Sequence, residues 1–366
     1  MSSSEAEREA VKAAFLAEAG LGAAQRTPLP GDASTRRYER LTLAGGRTLM
    51  LMDQPPSHES EPCRPDWDAA RRAASGWNAV ARLSAGRIEA FTAVADWLRG
   101  LGLSAPEIVA MDAAAGLAVL EDFGHRPFAE LLAEGRAEEQ ALYGAAVDVL
   151  ARLHEAGAPE AMAIPSGGAW PILDYDDLAL KGGADLFVQW TPQLAGEAYP
   201  AEALAEWDAL WSPWIARGAA GASVIAHRDY HAENLMWLDE RQGLARVGLI
   251  DFQDAVRAHP GWDLHSLLQD ARRDVSPELE AWAIDRYLER RPEIDREAFL
   301  ADYAGLAALN EARILGVFAR LIVRDGKPRY QAFMPRVAGH LRRNLERPEM
   351  AGLKAWFQRH APEIFQ

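Results

Sequence analysis

The stretch His227-Arg228-Asp229-Tyr230-His231-Ala232-Glu233-Asn234-Leu235 sets an acid and an amide five positions apart inside a segment bracketed by apolar residues. The flanks, Ser223 to Ala226 and Leu235 to Leu238, read as short strands, which makes the polar run a loop between them. A second apolar run, Val247 to Ile250, ends on Asp251, 22 positions after Asp229. A short hairpin lets the two ends meet, so one cleft would collect Asp229, Asn234 and Asp251. Three oxygen-bearing groups without a cysteine or a paired histidine suit magnesium, whose remaining ligands at a protein site are usually waters and nucleotide phosphates. The plain alternative, a solvated polar loop, explains each residue singly but not the three together.

Composition narrows the choice. The chain has 366 residues, 49% hydrophobic and 25% charged, with a net charge of −15. That suits a globular protein with ample core and speaks against nucleic acid or an anionic membrane as a partner held by bulk electrostatics. The single cysteine, Cys63, excludes an internal disulfide and a cysteine metal cluster and fits a reducing, cytoplasmic setting. The acid-rich N-terminal stretch does not resemble a secretory signal, and no run of about eighteen apolar residues suggests a membrane span.

Outward from the opening stretch, helical spacing marks Glu5 to Ala19, stopped by Gly20 and Gly22. The period then changes to a hairpin through Tyr38, Leu41 and Leu43, the Gly45-Gly46 turn and Thr48 to Met52. Residues 55–84, rich in proline, charge and tryptophan, read as an insertion or lid. Arg87 to Leu101 is an amphipathic helix, and a second hairpin closes at Asp112 to Gly116. Beyond the break at Asp122 to Pro127 the chain is mostly helical. These pieces predict a bilobal α+β fold: residues 1–122 as a small antiparallel sheet lobe with a helix, binding nucleotide, and 123–366 as a larger helical lobe carrying catalysis and acceptor binding.

The order His-Arg-Asp, four residues, Asn, followed by Asp-Phe, matches the protein-kinase signature in which the first Asp is the base and the Asn and second Asp hold magnesium. Asp229 would accept the acceptor hydroxyl's proton, and Asn234 and Asp251 would hold Mg²⁺ against the phosphates of ATP. His227 reads as structural. Gln253 stands where the kinase glycine would be. Gly31 to Tyr38, "GDASTRRY", could cover the phosphates with the backbone at Gly31, Asp32, Ser34 and Thr35. The usual third-strand lysine is missing; Met50, Met52 and Asp53 occupy that strand, leaving Arg36 or Arg37 to supply the cation, unless both are merely solvated. Purine would meet backbone groups of Glu121 and Phe123, with Leu49, Val119 and Leu120 as wall or simply as core.

"HxDxxxxN" followed by "IDFxDA" resembles the aminoglycoside phosphotransferase and choline kinase branch of the kinase-like fold. "GDASTRRY", "LMDQPP", "LEDFG", "GLIDFQDA", "QDARRDV" and "FARLIVRDGKPRY" together resemble the bacterial anomeric sugar kinases of cell-wall recycling, a likeness covering most of the chain apart from its start and residues 55–84. The resemblance implies phosphorylation of N-acetylmuramate and N-acetylglucosamine at the anomeric hydroxyl. Candidate acceptor residues are Asp270, Arg273, Arg313, Arg320 and Arg324, the last three on one helical face. The alternatives are an aminoglycoside- or choline-type phosphotransferase, or a nucleotide-binding module without turnover.

Overall fold

The computed structural model describes residues 3–30, 36–54 and 61–365. Gly31, Asp32, Ser34 and Thr35 therefore lie outside the described residues.

Helix α1 (Ser3–Glu18) leads into a five-stranded antiparallel sheet built from β1 (Gln25–Pro28), β2 (Arg37–Thr42), β3 (Thr48–Asp53), β4 (Ile108–Asp112) and β5 (Leu117–Glu121), in the order β1-β2-β3-β5-β4. Side chains alternate across a strand, so each strand serves two layers. Leu41, Leu49, Leu51, Leu117 and Val119 point outward and form a small core with Phe15 and Leu16 of α1. On the same face Lys12 is 2.6 Å from Glu39, and Arg8 is 2.6 Å from Asp53. The opposite face offers Tyr38, Arg40, Met50 and Leu120 to the interlobe cleft.

Residues 61–84 hold two short helices, α2 (Ala69–Ser75) and α3 (Trp77–Val80), and pack on the helical lobe. The buried Arg72 forks onto Asp176 at 2.5 and 2.9 Å, and Arg82 reaches the same carboxylate at 2.8 Å. Asp176 also caps α7 (Asp177–Trp190) by accepting the Ala179 amide. Helix α4 (Ile88–Gly100) bridges the lobes: Phe91 stacks on Phe252 with ring centroids 4.8 Å apart.

After α5 (Phe128–Ala133) and α6 (Glu139–Glu155) come the hairpin β6 (Ala161–Ala163) and β7 (Ala169–Pro171), then α7 and α8 (Ala201–Ala220). Two small ladders follow. The flanks of the opening loop do not pair with each other: β8 (Val224–Ala226) pairs with β11 (Val256–Ala258), and β9 (Leu235–Trp237) pairs with β10 (Val247–Leu249). The loop therefore passes from one ladder to the other. Helices α9 (Gly261–Leu268), α10 (Pro277–Arg290), α11 (Arg296–Val323), α12 (Met334–Asn344) and α13 (Ala351–His360) complete the lobe. Trp207, Trp211, Trp356, Phe187 and Phe357 fill a second large core beneath α7, α8 and α11. Among the described residues no helix is long and apolar enough to cross a membrane.

Candidate active site

The β9–β10 hairpin accounts for the convergence. Leu235 is in register with Leu249, and the Ile250 amide donates to the Asn234 carbonyl at 3.2 Å, which sets Asp251 beside Asn234. Both residues line a cavity of about 350 Å³ between the lobes, together with Arg36, Tyr38, Met50 and Leu120. Asn234 turns its Nδ2 onto the Asp229 carbonyl at 2.9 Å. Its Oδ1 is left as the group able to meet a cation from that cavity.

Asp229 itself faces elsewhere. It lines a second cavity, of about 180 Å³, with Arg228, Gln269, Asp270, Asn310 and Arg313. The loop is thus a partition, with Asn234 and Asp251 on one side and Asp229 on the other.

Its backbone is held in an uncommon shape. Arg228 and Asp251 both have positive φ, 76° and 66°. Such conformations cost non-glycine residues about 1–3 kcal/mol each and persist where the surroundings enforce them. For Arg228 the enforcement is visible: its guanidinium lies 4.7 Å over the Tyr175 ring, and Nη1 donates to the Arg82 and Asp254 carbonyls at 3.3 and 3.4 Å. The Asp254 carboxylate in turn accepts the Ser84 amide at 2.6 Å. Beneath the loop, fully buried Asp263 accepts the amides of His227 and Arg228. Burial pushes its carboxyl up to about 7, while the two amides oppose that rise. His227 packs edge-on against Tyr230 and Phe252, and burial pulls it down to about 4, which suits a neutral structural ring.

On the nucleotide side the strand lacking lysine is served from its neighbour. Arg36 is buried, with Nη1 3.1 Å from both Tyr38 Oη and Asp251 Oδ1, and Nε 3.1 Å from Gln54 Oε1. Burial works to lower its pKa, but Tyr38 and Asp251 outweigh that and keep the guanidinium charged. Arg37 is exposed. Arg40 reaches Asp122 at 2.7 Å beside the same cavity. Burial disfavours the Asp122 carboxylate, yet Arg40 and the Gly124 amide hold it below its usual range.

Leu49 and Val119 belong to the core under α1, the core alternative for that trio, and Leu120 lines the cavity. Several other expected positions differ. Glu121 and Phe123 both line the cavity, but the Glu121 amide is already given to the Glu107 carbonyl at 2.9 Å, and the Phe123 ring lies 5.2 Å from the Arg241 guanidinium. Of the acceptor candidates, Asp270 and Arg313 line the smaller cavity. Arg273 turns to Glu139 at 2.7 Å, and its neighbour Arg272 lines the cavity instead. Arg320 lies 5.8 Å from the Trp77 ring, and Arg324 pairs with Asp325 at 2.6 Å. Asp263, Gln269 and Asn310 were missed. The stretch "GWDLHSLL" does contain a signal for the first, an acid in an otherwise apolar helix.

Among the described residues no group of three histidine, cysteine or acidic side chains could cage a metal. A cation held by Asn234 and Asp251 would need phosphates and waters as further ligands, the usual arrangement for magnesium.

The fold is two-lobed and kinase-like, and the chain belongs to the phosphotransferase enzyme family, whose model matches residues 25–309. It is 57% identical over 356 residues to the N-acetylmuramate/N-acetylglucosamine kinase of Caulobacter vibrioides, covering 97% of both chains. The kinase of the same name from Pseudomonas aeruginosa is 29% identical, with 90% of this chain and 87% of that one covered. Among solved structures, a GDP complex of an aminoglycoside 2'-phosphotransferase of type IIIa shares the fold, with a TM-score of 0.55 at 12% identity over 94% of this chain and 99% of that one.

Proposed function

We propose that the protein is an ATP- and magnesium-dependent kinase that phosphorylates the anomeric hydroxyl of N-acetylmuramate and N-acetylglucosamine. The observation that carries the reading is the partition: Asn234 and Asp251 open onto one cavity and Asp229 onto the other, joined by a 2.9 Å hydrogen bond. Phosphoryl transfer needs a donor site and an acceptor site that meet at one edge, with attacking oxygen and phosphorus about 3–3.5 Å apart, and the Asp229–Asn234 loop is where these two cavities adjoin. The names of the two bacterial relatives support the choice of sugars.

In this reading the acceptor sugar enters the smaller cavity, with Asp270 available to its hydroxyls, while Gln269 in the wall is held by Glu280 and Asn344. The anomeric oxygen attacks the γ-phosphorus as its proton passes to the Asp229 carboxylate; the bond to the β,γ-bridging oxygen breaks and ADP leaves with that electron pair. Asn234 and Asp251 would hold Mg²⁺, which when bound supplies positive charge to the phosphate oxygens. Arg36 adds a fixed cation beside them. The base placement is general acid–base catalysis, worth about 10²–10⁴ in rate.

The test is ADP release with each sugar, using the wild type and Asp229→Asn. Turnover of both sugars, lost at least a hundredfold in the variant while nucleotide binding persists, is the expected result. Activity with an aminoglycoside or choline and with neither amino sugar would replace this reading.

A further inference from the structure

This inference rests on the acceptor reading of the smaller cavity. The two sugars differ at one place: N-acetylmuramate carries on O3 a lactyl ether ending in a carboxylate, where N-acetylglucosamine has a neutral hydroxyl. A cavity that takes the acid must offset the loss of its hydration with a cation.

Three arginines line that cavity, and two are engaged. Arg272 is 3.0 Å from Glu233. Arg228 is tied to two carbonyls and the Tyr175 ring. Arg313 differs: among the described residues its hydrogen bond is Nη1 to Asn310 Oδ1 at 3.2 Å, and it makes no ion pair. Its aliphatic stem lies against Gly183 of α7, where an added Cβ would come 3.2 Å from Cδ, so the side chain is seated between α7 and α11. Asp229 and Asp270 line the same cavity, but among the described residues neither makes an ion pair with Arg313, and the acid two residues before it on α11 gives no counter-charge either. Glu311 is fully buried, neither of its oxygens has a hydrogen-bond partner among the described residues, His340 Nδ1 lies 3.9 Å from Oε1, and burial pushes its carboxyl well up, favouring the neutral form. Beside Arg313 the wall is apolar, with Ile314, Val317 and Phe318, a surface suited to the methyl group that every N-acetyl and lactyl substituent carries.

We propose that Arg313 is the residue that reads the lactyl carboxylate and so sets the preference between the acidic and the neutral amino sugar. It acts on binding of the O3 substituent and not on the proton or the phosphoryl group.

Steady-state kinetics of the wild type, Arg313→Gln and Arg313→Lys with both sugars and with the methyl ester of N-acetylmuramate test this. The expected result for Arg313→Gln is a rise of about 10–100-fold in KM for N-acetylmuramate with kcat nearly kept, the size of a lost charge-assisted hydrogen bond. The effect on N-acetylglucosamine and on the ester should stay within about threefold, and Arg313→Lys should recover part of the KM. An equal loss on all three sugars overturns the proposal in favour of a structural role, and an unchanged KM for N-acetylmuramate overturns it by showing that the carboxylate is bound elsewhere. Failure of the underlying acceptor reading looks different: the wild type would turn over neither sugar.

Discussion

Asp263 accepts the backbone amides of His227 and Arg228, at 2.5 and 2.9 Å, from beneath the loop that carries Asp229. One carboxylate thereby holds the turn at which Arg228 takes its positive φ. Asp263→Asn keeps the volume but offers one oxygen to two donors and sets an NH₂ against the other. A buried donor left unsatisfied costs about 1–3 kcal/mol. We expect a loss of that size in urea unfolding and a fall in kcat of about 10–100-fold, with little change in nucleotide KM. An unchanged kcat in a stably folded variant would remove Asp263 from the positioning role.

The clustering of Asn234 and Asp251 was legible because it is nearly local: a hairpin of fixed register closes the interval between them. The anchor below was not. Asp263 lies 36 and 35 positions from its two donors, and no periodicity encodes a contact made by a helix folding back under a loop. The same limit explains the arginines. Helical spacing puts Arg313, Arg320 and Arg324 on one face, but only Arg313 lines the cavity; Arg324 caps the helix end beside Asp325. In "QDARRDV" two adjacent arginines point apart, and which one meets the cavity is settled by Glu139 and Glu233, acids distant in the chain. Pairing of β8 with β11 was hidden because three-residue strands carry too short a pattern to name a partner.

Arg36 and Asp251 make a cross-lobe pair at 3.1 Å in the wall of the larger cavity. Arg36→Met keeps length and apolar packing while removing the charge. We expect nucleotide KM to rise about tenfold, the worth of one charge-assisted contact, with a smaller effect on sugar KM. Arg36→Lys restores charge without the planar fork and should recover only part. A nucleotide KM indifferent to both changes would leave the missing strand lysine without a substitute.

Gly316 lets α7 and α11 approach closely. A Cβ there would lie 2.2 Å from the Leu186 carbonyl carbon and 2.5 Å from the Phe187 amide nitrogen, so the clash is with backbone that cannot turn aside. Gly316→Ala must separate the helices, and overpacking of this kind costs about 1–3 kcal/mol or more. The same crossing seats Arg313, three residues earlier, so the variant should also raise KM for the acidic sugar. Unfolding by urea together with the two-sugar KM ratio checks both; full stability with an unchanged ratio contradicts the packing.

Four buried histidines set the onset of the acid limb of stability. Burial pulls His227 and His340 down to about 4 and His265 to about 3, and holds His154 well below its usual value. In the unfolded chain each takes up a proton near pH 6.5, so between their folded pKa values and about 6.5 the unfolded state binds more protons and stability is lost as the pH falls. Asp263 and Glu311 oppose this, since burial raises both and the folded state keeps protons that the unfolded state has released. Among these six groups, four against two leave a net uptake of about two protons on unfolding near pH 5, or about 3 kcal/mol per pH unit. Paired carboxylates held below their usual range, such as Glu39, Asp122 and Asp176, add to the acid-side loss as the pH falls further. Above about pH 6.5 the histidine contribution is complete and the two acids make stability decline gently as pH rises. The expected profile of urea midpoints is therefore a maximum near pH 6 to 6.5 with a steeper acid side. His340→Gln, removing one of the four protons, should flatten that side by about a third to a half; an acid slope that His340→Gln leaves untouched would show that these rings are not what titrates.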